Sequence, residues 1–237
     1  MDFFKKFYHS GDLNTKGQGK QTAILLMAAI LPALQRTFGS IEFARATFQD
    51  SSEFFCVMYM FVTAFIFFGI IPALTIRFFF SEPLNEYGIR LGDWRWGLPA
   101  VIVLFILISV IFIYPSSQTE EIRSFFPFDK SASETAFSFI RLQFFRGLLF
   151  YSAWEFFFRG FILFGLRKYF GDWMAICIQV IPSCLWHLGL SAGEIFISIA
   201  AGLLFGMMAL RTRSIFWPFL LHYLIGIILD LFIIFTG

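Results

Sequence analysis

Six ionisable side chains lie inside long apolar stretches of this chain, where charge is seldom found: Glu155, Arg159, His187, Glu194, His222 and Asp230. A charged group near the centre of a bilayer costs about 2.5–3.5 kcal/mol on insertion scales, and such residues normally face a bundle interior with a partner. Their types suit hydrolytic chemistry. Two imidazoles with one or two carboxylates match the ligand set of a catalytic zinc site that keeps a position open for water. Such a site makes the bound water a nucleophile near neutral pH, and a spare carboxylate can take its proton. The same groups in file would equally serve a proton or ion path.

Spacing refines the picture. Glu155 and Arg159, in YSAWEFFFRG, are four residues apart and share a helix face, which Tyr151 continues one turn back. On spacing alone the pair reads as an internal ion pair that locks its helix. His187 ends the run IPSCLWH, five residues after Pro182, which frees a carbonyl in the helix and allows a kink. Glu194 follows seven positions later. A helical connection would put it on the face of His187, whereas Gly189 and Gly193 equally favour a turn. His222 is central in WPFLLHYLIGIILD, and Asp230 reads as an ordinary carboxylate near the outer end of that helix. Arg141 and Arg146 read as snorkelling cations. No HExxH occurs, so any metal ligands must meet from different helices.

The elements that must position these groups follow from composition. Of 237 residues, 58% are hydrophobic, 14% are charged and 37 are Phe. A soluble domain carries about a quarter charged residues, so this is an integral membrane protein, neither disordered nor a disulfide-stapled secreted module. The net charge of +2 and the absence of a basic face argue against a nucleic-acid partner. Cys56, Cys177 and Cys184 lie in apolar runs without CxxC spacing and read as small hydrophobes. The first residues lack the pattern of a cleaved signal.

Apolar runs place about seven spans near 21–35, 54–76, 97–114, 136–166, 173–190, 194–210 and 214–235. The first, interrupted by Gln21, Thr22 and Pro32, is the weakest. Backbone groups in hydrocarbon must be satisfied internally, and no run alternates as a barrel strand would. The expected fold is therefore an all-α polytopic bundle, one domain over 1–237, with a polar cavity among the last four helices. Eleven Lys and Arg fall in alternate loops on one side and four on the other. That asymmetry predicts a cytoplasmic N-terminus and an external C-terminus. The 81–99 stretch, with Tyr87, Trp94 and Trp96, reads as a segment in the headgroup layer, and the acidic 115–134 stretch as a solvated outer loop.

The order WEFFFRGFIL, IPSCLWH, WPFLLHYLIG resembles the CAAX-protease and bacteriocin-processing (CPBP, or Abi) family of intramembrane proteases. The resemblance covers about residues 135–235, and LGDWRWGL is reminiscent of the same proteins. The family pattern has two adjacent Glu, three residues, then Arg-Gly. Phe-x-x-x-His follows, and His-x-x-x-Asn or Asp comes last. Arg159, Gly160, His187 and His222 fit, and Glu155 fits the second Glu. Trp154 stands at the first Glu, which in the family acts with the second-motif His on the attacking water. Ser183 replaces the Phe, and Gly226 the Asn that helps hold an oxyanion. Three explanations stay open: Glu194 substitutes as base, Glu155 works through a local helix rotation, or the chain is a non-catalytic relative.

The resemblance implies a metal-dependent intramembrane endopeptidase similar to CAAX prenyl protease 2, placed in a bacterial inner (plasma) membrane, with a peptide or protein substrate that is lipidated in the eukaryotic relatives. Its site residues would be Glu155, Arg159, His187, Glu194 and His222. Of these, His187, His222 and Glu155 would hold zinc or another divalent metal. The alternative is a membrane scaffold or bacteriocin-immunity protein. A carrier would want an inverted repeat of broken helices, and the sequence has none.

Overall fold

The structure, a computed structural model, describes residues 18–236. Lys5, Lys6 and Lys16, which carry part of the orientation argument, lie outside the described residues. Among the described residues six stretches are long and apolar enough to cross a membrane: α1 (Gly19–Phe38), α3 (Glu53–Phe79), α4 (Trp94–Ser117), Ala136–Trp186, α8 (Ala192–Thr212) and α9 (Phe216–Thr236). Short helices α2 (Ile41–Thr47) and α5 (Glu120–Phe125) lie between them. Among the described residues there is no strand.

The 51-residue stretch Ala136–Trp186 would measure about 76 Å if straight, far more than a hydrocarbon core of about 30 Å. It is folded in two at Gly171, whose φ of 76° and ψ of 168° leave the helical region. This divides it into α6 (136–170) and α7 (172–186). The rings of Trp154 and Trp186, 32 positions apart, lie 4.9 Å from centroid to centroid, so α7 returns along α6. The seven expected spans are thus six continuous stretches, one of them a hairpin. The first span, weak in sequence, forms a full helix with Pro32 inside it.

Helix starts follow capping chemistry. Ser52, Thr135 and Ser191 accept hydrogen bonds from the backbone N–H three residues on, and Asp93 does so for α4. Helix α6 forms the middle of the bundle, with every residue of Phe156–Phe164 buried. It carries Arg159, and a charge at membrane depth must face the bundle interior instead of lipid. Two widened π-helical segments, Arg146–Tyr151 and Phe156–Phe164, flank a single α turn at Ser152–Glu155. Such widening rotates the following side chains relative to an α-helix and is frequent at functional sites.

Two loop expectations need correction. In the 81–99 stretch Trp94 and Trp96 are exposed as expected, but Tyr87 is buried against α6 and α1 and gives its hydroxyl to Glu82 (2.5 Å). The 115–134 stretch is not a plain solvated loop. Ile122, Phe126 and Phe128 are buried, and the stretch forms one wall of the internal cavity. Its apolar residues alternate with charges too irregularly for a periodic signal to reveal that wall.

Candidate active site

A cavity of about 450 Å³ opens among α6, α7, α8 and α9, closed on one side by α4 and the 115–134 segment. Its lining is mainly apolar, yet Arg146, Arg159, His187, Glu194 and His222 all contribute to it. Of the six groups expected to gather, Arg159, His187, Glu194 and His222 therefore border one space, and Asp230 does not. Glu155 is fully buried immediately behind the lining.

Each imidazole is anchored through Nδ1. His222 on α9 lies with Nδ1 2.7 Å from Oε1 of Glu155 on α6, while Arg159 Nε approaches the other oxygen at 3.3 Å. His187, in the turn after α7, lies with Nδ1 2.7 Å from the Ser183 carbonyl. A carbonyl and a carboxylate only accept, so Nδ1 donates in both rings, and each neutral ring carries its lone pair on Nε2. The His222 side chain keeps 25% of its surface exposed, whereas Glu155 and Arg159 keep 0% and 2%. The Glu155–Arg159 contact is an ion pair without an aligned hydrogen bond, since Glu155 Oε2 and Arg159 Nε and Nη1 have no hydrogen-bond partner.

Glu194 lies one turn into α8, where its role is local. Its Oε2 accepts from the Ser191 N–H (3.3 Å), and its own N–H donates to Ser191 Oγ (3.1 Å). This is a capping box, and it decides between the two connections open in sequence: 187–191 is a turn, and α8 starts afresh. Trp154, in place of the family carboxylate, is buried with its ring edge-on to His187 (5.6 Å) and Trp186.

These donors fit a protein-held zinc poorly. A catalytic zinc takes three protein ligands, but the Glu155 carboxylate is committed to His222 and Arg159 and stands behind an imidazole. The two Nε2 atoms remain as donors, and among the described residues no three His, Cys, Asp or Glu side chains come together as a metal set.

Four residues differ from their sequence reading. Asp230 is no helix-end carboxylate and Arg146 does not snorkel. They are 0% and 1% exposed and form a buried pair, Nη1 to Oδ2 2.6 Å, joined by Gln143 Nε2 at 2.7 Å. The signal was available, since both charges lie in apolar runs. Arg141 pairs with Asp129 (3.4 Å) and covers the Phe54 ring. Tyr151, read only as continuing a face, lines the cavity with its ring 4.4 Å from that of His222. Of the three cysteines expected to be buried, Cys56 is, whereas Cys177 is exposed and Cys184 half-buried.

Fold and site together define a polytopic α-helical membrane protein whose last four helices enclose a cavity holding two anchored imidazoles and a buried carboxylate–guanidinium pair. Residues 133–228 match the family model described as "Type II CAAX prenyl endopeptidase Rce1-like", so the part of this membrane protein that bears Glu155, Arg159, His187 and His222 is similar to that family. The resemblance carried by the three motifs is thereby supported. No curated protein and no solved structure matches the chain.

Proposed function

We propose that this chain is an intramembrane endopeptidase that hydrolyses a peptide bond of a membrane-associated, apolar or lipidated peptide. One observation carries the reading: His222 lines the cavity while a buried carboxylate holds its Nδ1, which leaves Nε2 as the uncommitted ring nitrogen. That is the arrangement of a base and its orienting acid in hydrolases of unrelated fold.

In the proposed reaction, water bound in the cavity attacks the scissile carbonyl carbon and gives its proton to His222 Nε2. Glu155 keeps the ring in that tautomer and balances the imidazolium. The same proton then passes to the leaving amine as the carbon–nitrogen bond breaks. Arg159 holds Glu155 in register. The Tyr151 hydroxyl, on the cavity wall beside His222, donates to the oxyanion. His187 Nε2 accepts from the water and orients it. Glu194, tied into the α8 cap, serves as a spare acceptor at the cavity edge. A divalent ion would find two imidazole donors here, one short of the usual protein set, and no step is routed through it. The apolar lining suits a peptide segment delivered from lipid. With Trp154 buried among aromatics instead of a carboxylate, the second reading is a non-catalytic scaffold or immunity protein.

The test uses the full chain in lipid nanodiscs, offered prenylated and unprenylated C-terminal peptides, with products read by mass spectrometry. Cleavage by the wild type that disappears in His222→Ala supports the reading. An intact substrate with every peptide, from a well-folded wild type, leaves the scaffold.

A further inference from the structure

We propose a second site, independent of the hydrolase reading: a hollow at the opposite end of the bundle from the 115–134 wall that binds the phosphate of an anionic phospholipid headgroup. The hollow, about 680 Å³, is lined by Arg90, Arg167, Arg211 and Arg213 together with Asp93. These guanidiniums come from three separate segments: the loop before α4, the end of α6 and the end of α8. They converge because the first and third segments are zipped together. Asp93 N–H donates to the Thr212 carbonyl (2.9 Å), Ile215 N–H to the Gly88 carbonyl (3.0 Å), and Arg90 Nε to the Arg213 carbonyl (2.7 Å). Ser214 Oγ closes the same seam by donating to the Arg90 carbonyl.

The charge is left incomplete. Arg211 pairs with Asp93 (2.8 Å) and Arg167 with Asp172 (2.9 Å). Arg90 and Arg213 have no carboxylate partner among the described residues, and the Arg213 guanidinium makes no hydrogen bond there. Two guanidiniums without a carboxylate beside two that each have one leave a net positive hollow, and the planar fork of Arg matches phosphate oxygens two at a time.

The surroundings select lipid as the source. Exposed Leu91, Trp94 and Trp96 in and just after the first segment, and Trp173 at the start of α7, adjoin these segments, and Arg211 covers the Trp96 ring (5.3 Å). Trp belongs at the membrane–water interface, so the hollow stands at headgroup depth. This is also the side on which the excess of Lys and Arg predicts the cytoplasm, where leaflets are anionic and basic pockets between helices collect headgroups.

The experiment titrates the purified full chain in neutral detergent with phosphatidylglycerol, phosphatidylcholine and inorganic phosphate, with bound species counted by native mass spectrometry. The wild type is expected to retain phosphatidylglycerol at about tenfold lower concentration than phosphatidylcholine, equivalent to about 1.4 kcal/mol. Arg213→Gln, which breaks no side-chain hydrogen bond or ion pair among the described residues, is expected to remove most of that preference, and Arg167→Gln part of it. Arg123→Gln, at the other end of the bundle, is expected to bind as the wild type does. Equal retention of the two lipids, or an unchanged preference in Arg213→Gln, overturns the site. Inorganic phosphate that occupies the hollow as tightly as the lipid overturns the assignment to a headgroup.

Discussion

The Tyr151 hydroxyl on α6 rests against the Cα of Gly226 on α9, so close that a side-chain carbon at 226 would collide with the phenolic oxygen. Gly226 stands where the family pattern has a polar side chain that helps hold an oxyanion, four residues after His222. A phenol from a neighbouring helix thus fills that space, and its O–H supplies a donor of the same kind. Tyr151→Phe is expected to lower kcat about 10²-fold with little change in KM, as removal of one oxyanion donor does elsewhere. Steady-state kinetics on the cleaved peptide check this. Gly226→Asn alone is expected to lower the melting temperature through the collision, and Tyr151→Ala in the same chain to restore it.

Glu155 and Arg159 separate catalysis from folding. Glu155→Gln keeps the size of the side chain but removes the charge that balances a protonated His222, and a loss of roughly 10³–10⁴-fold in kcat is expected. Arg159→Ala leaves Glu155 buried beside nothing cationic on its helix, a change of about 3–5 kcal/mol for a broken buried pair. Thermal unfolding in detergent should therefore show Arg159→Ala more strongly destabilised than His222→Ala, which loses one hydrogen bond to buried Glu155, about 1–3 kcal/mol, and is inactive. A His222→Ala protein that retains full activity would remove the base.

The buried pair of Arg146 and Asp230 is a structural element with a compensable charge. Arg146→Met strands Asp230 without a counter-charge and is expected to destabilise by about 3–5 kcal/mol, whereas Arg146→Met with Asp230→Leu is expected to recover most of it. Unfolding of the two variants and of the wild type measures the difference.

Two imidazoles without a third protein ligand predict weak metal retention. Elemental analysis of the purified protein is expected to find well under one zinc per chain, and activity is expected to survive chelation. Stoichiometric zinc that disappears in His187→Ala with His222→Ala would reverse this expectation.

Outside the spans, Glu82 ties α1 to the 81–99 segment through Lys20 Nζ (2.6 Å) and the Tyr87 hydroxyl. Burial pushes its carboxyl up, but the hydrogen bonds from Lys20 and Tyr87 outweigh burial and leave it below the usual carboxylate range. A carboxylate depressed on folding stabilises above its unfolded value of about 4.3, and that contribution is lost as pH falls through the lower folded value. Melting curves of the wild type are expected to drop below about pH 4. Those of Glu82→Gln should start lower at pH 7 and show less of that drop.

Membrane class, helical architecture, span positions and the motifs of Arg159, His187 and His222 were legible from residue type and order alone. Lipid as solvent forces long apolar runs and internal backbone bonding, and both leave a linear trace. Even the cost of charge at depth was readable, and it picked out Glu155, Arg159 and Asp230. What linear spacing left open was partnership. Whether Glu194 faced His187 or capped α8 depended on a turn at 187–191, and whether Asp230 ended a helix or met Arg146 depended on how α9 crosses α6. The pairing of Glu155 with His222, 67 residues apart, required the packing of two helices and the π-widened turns on either side of Glu155. Periodicity records which face a helix buries. Only the folded bundle decides which side chain of another helix that face meets.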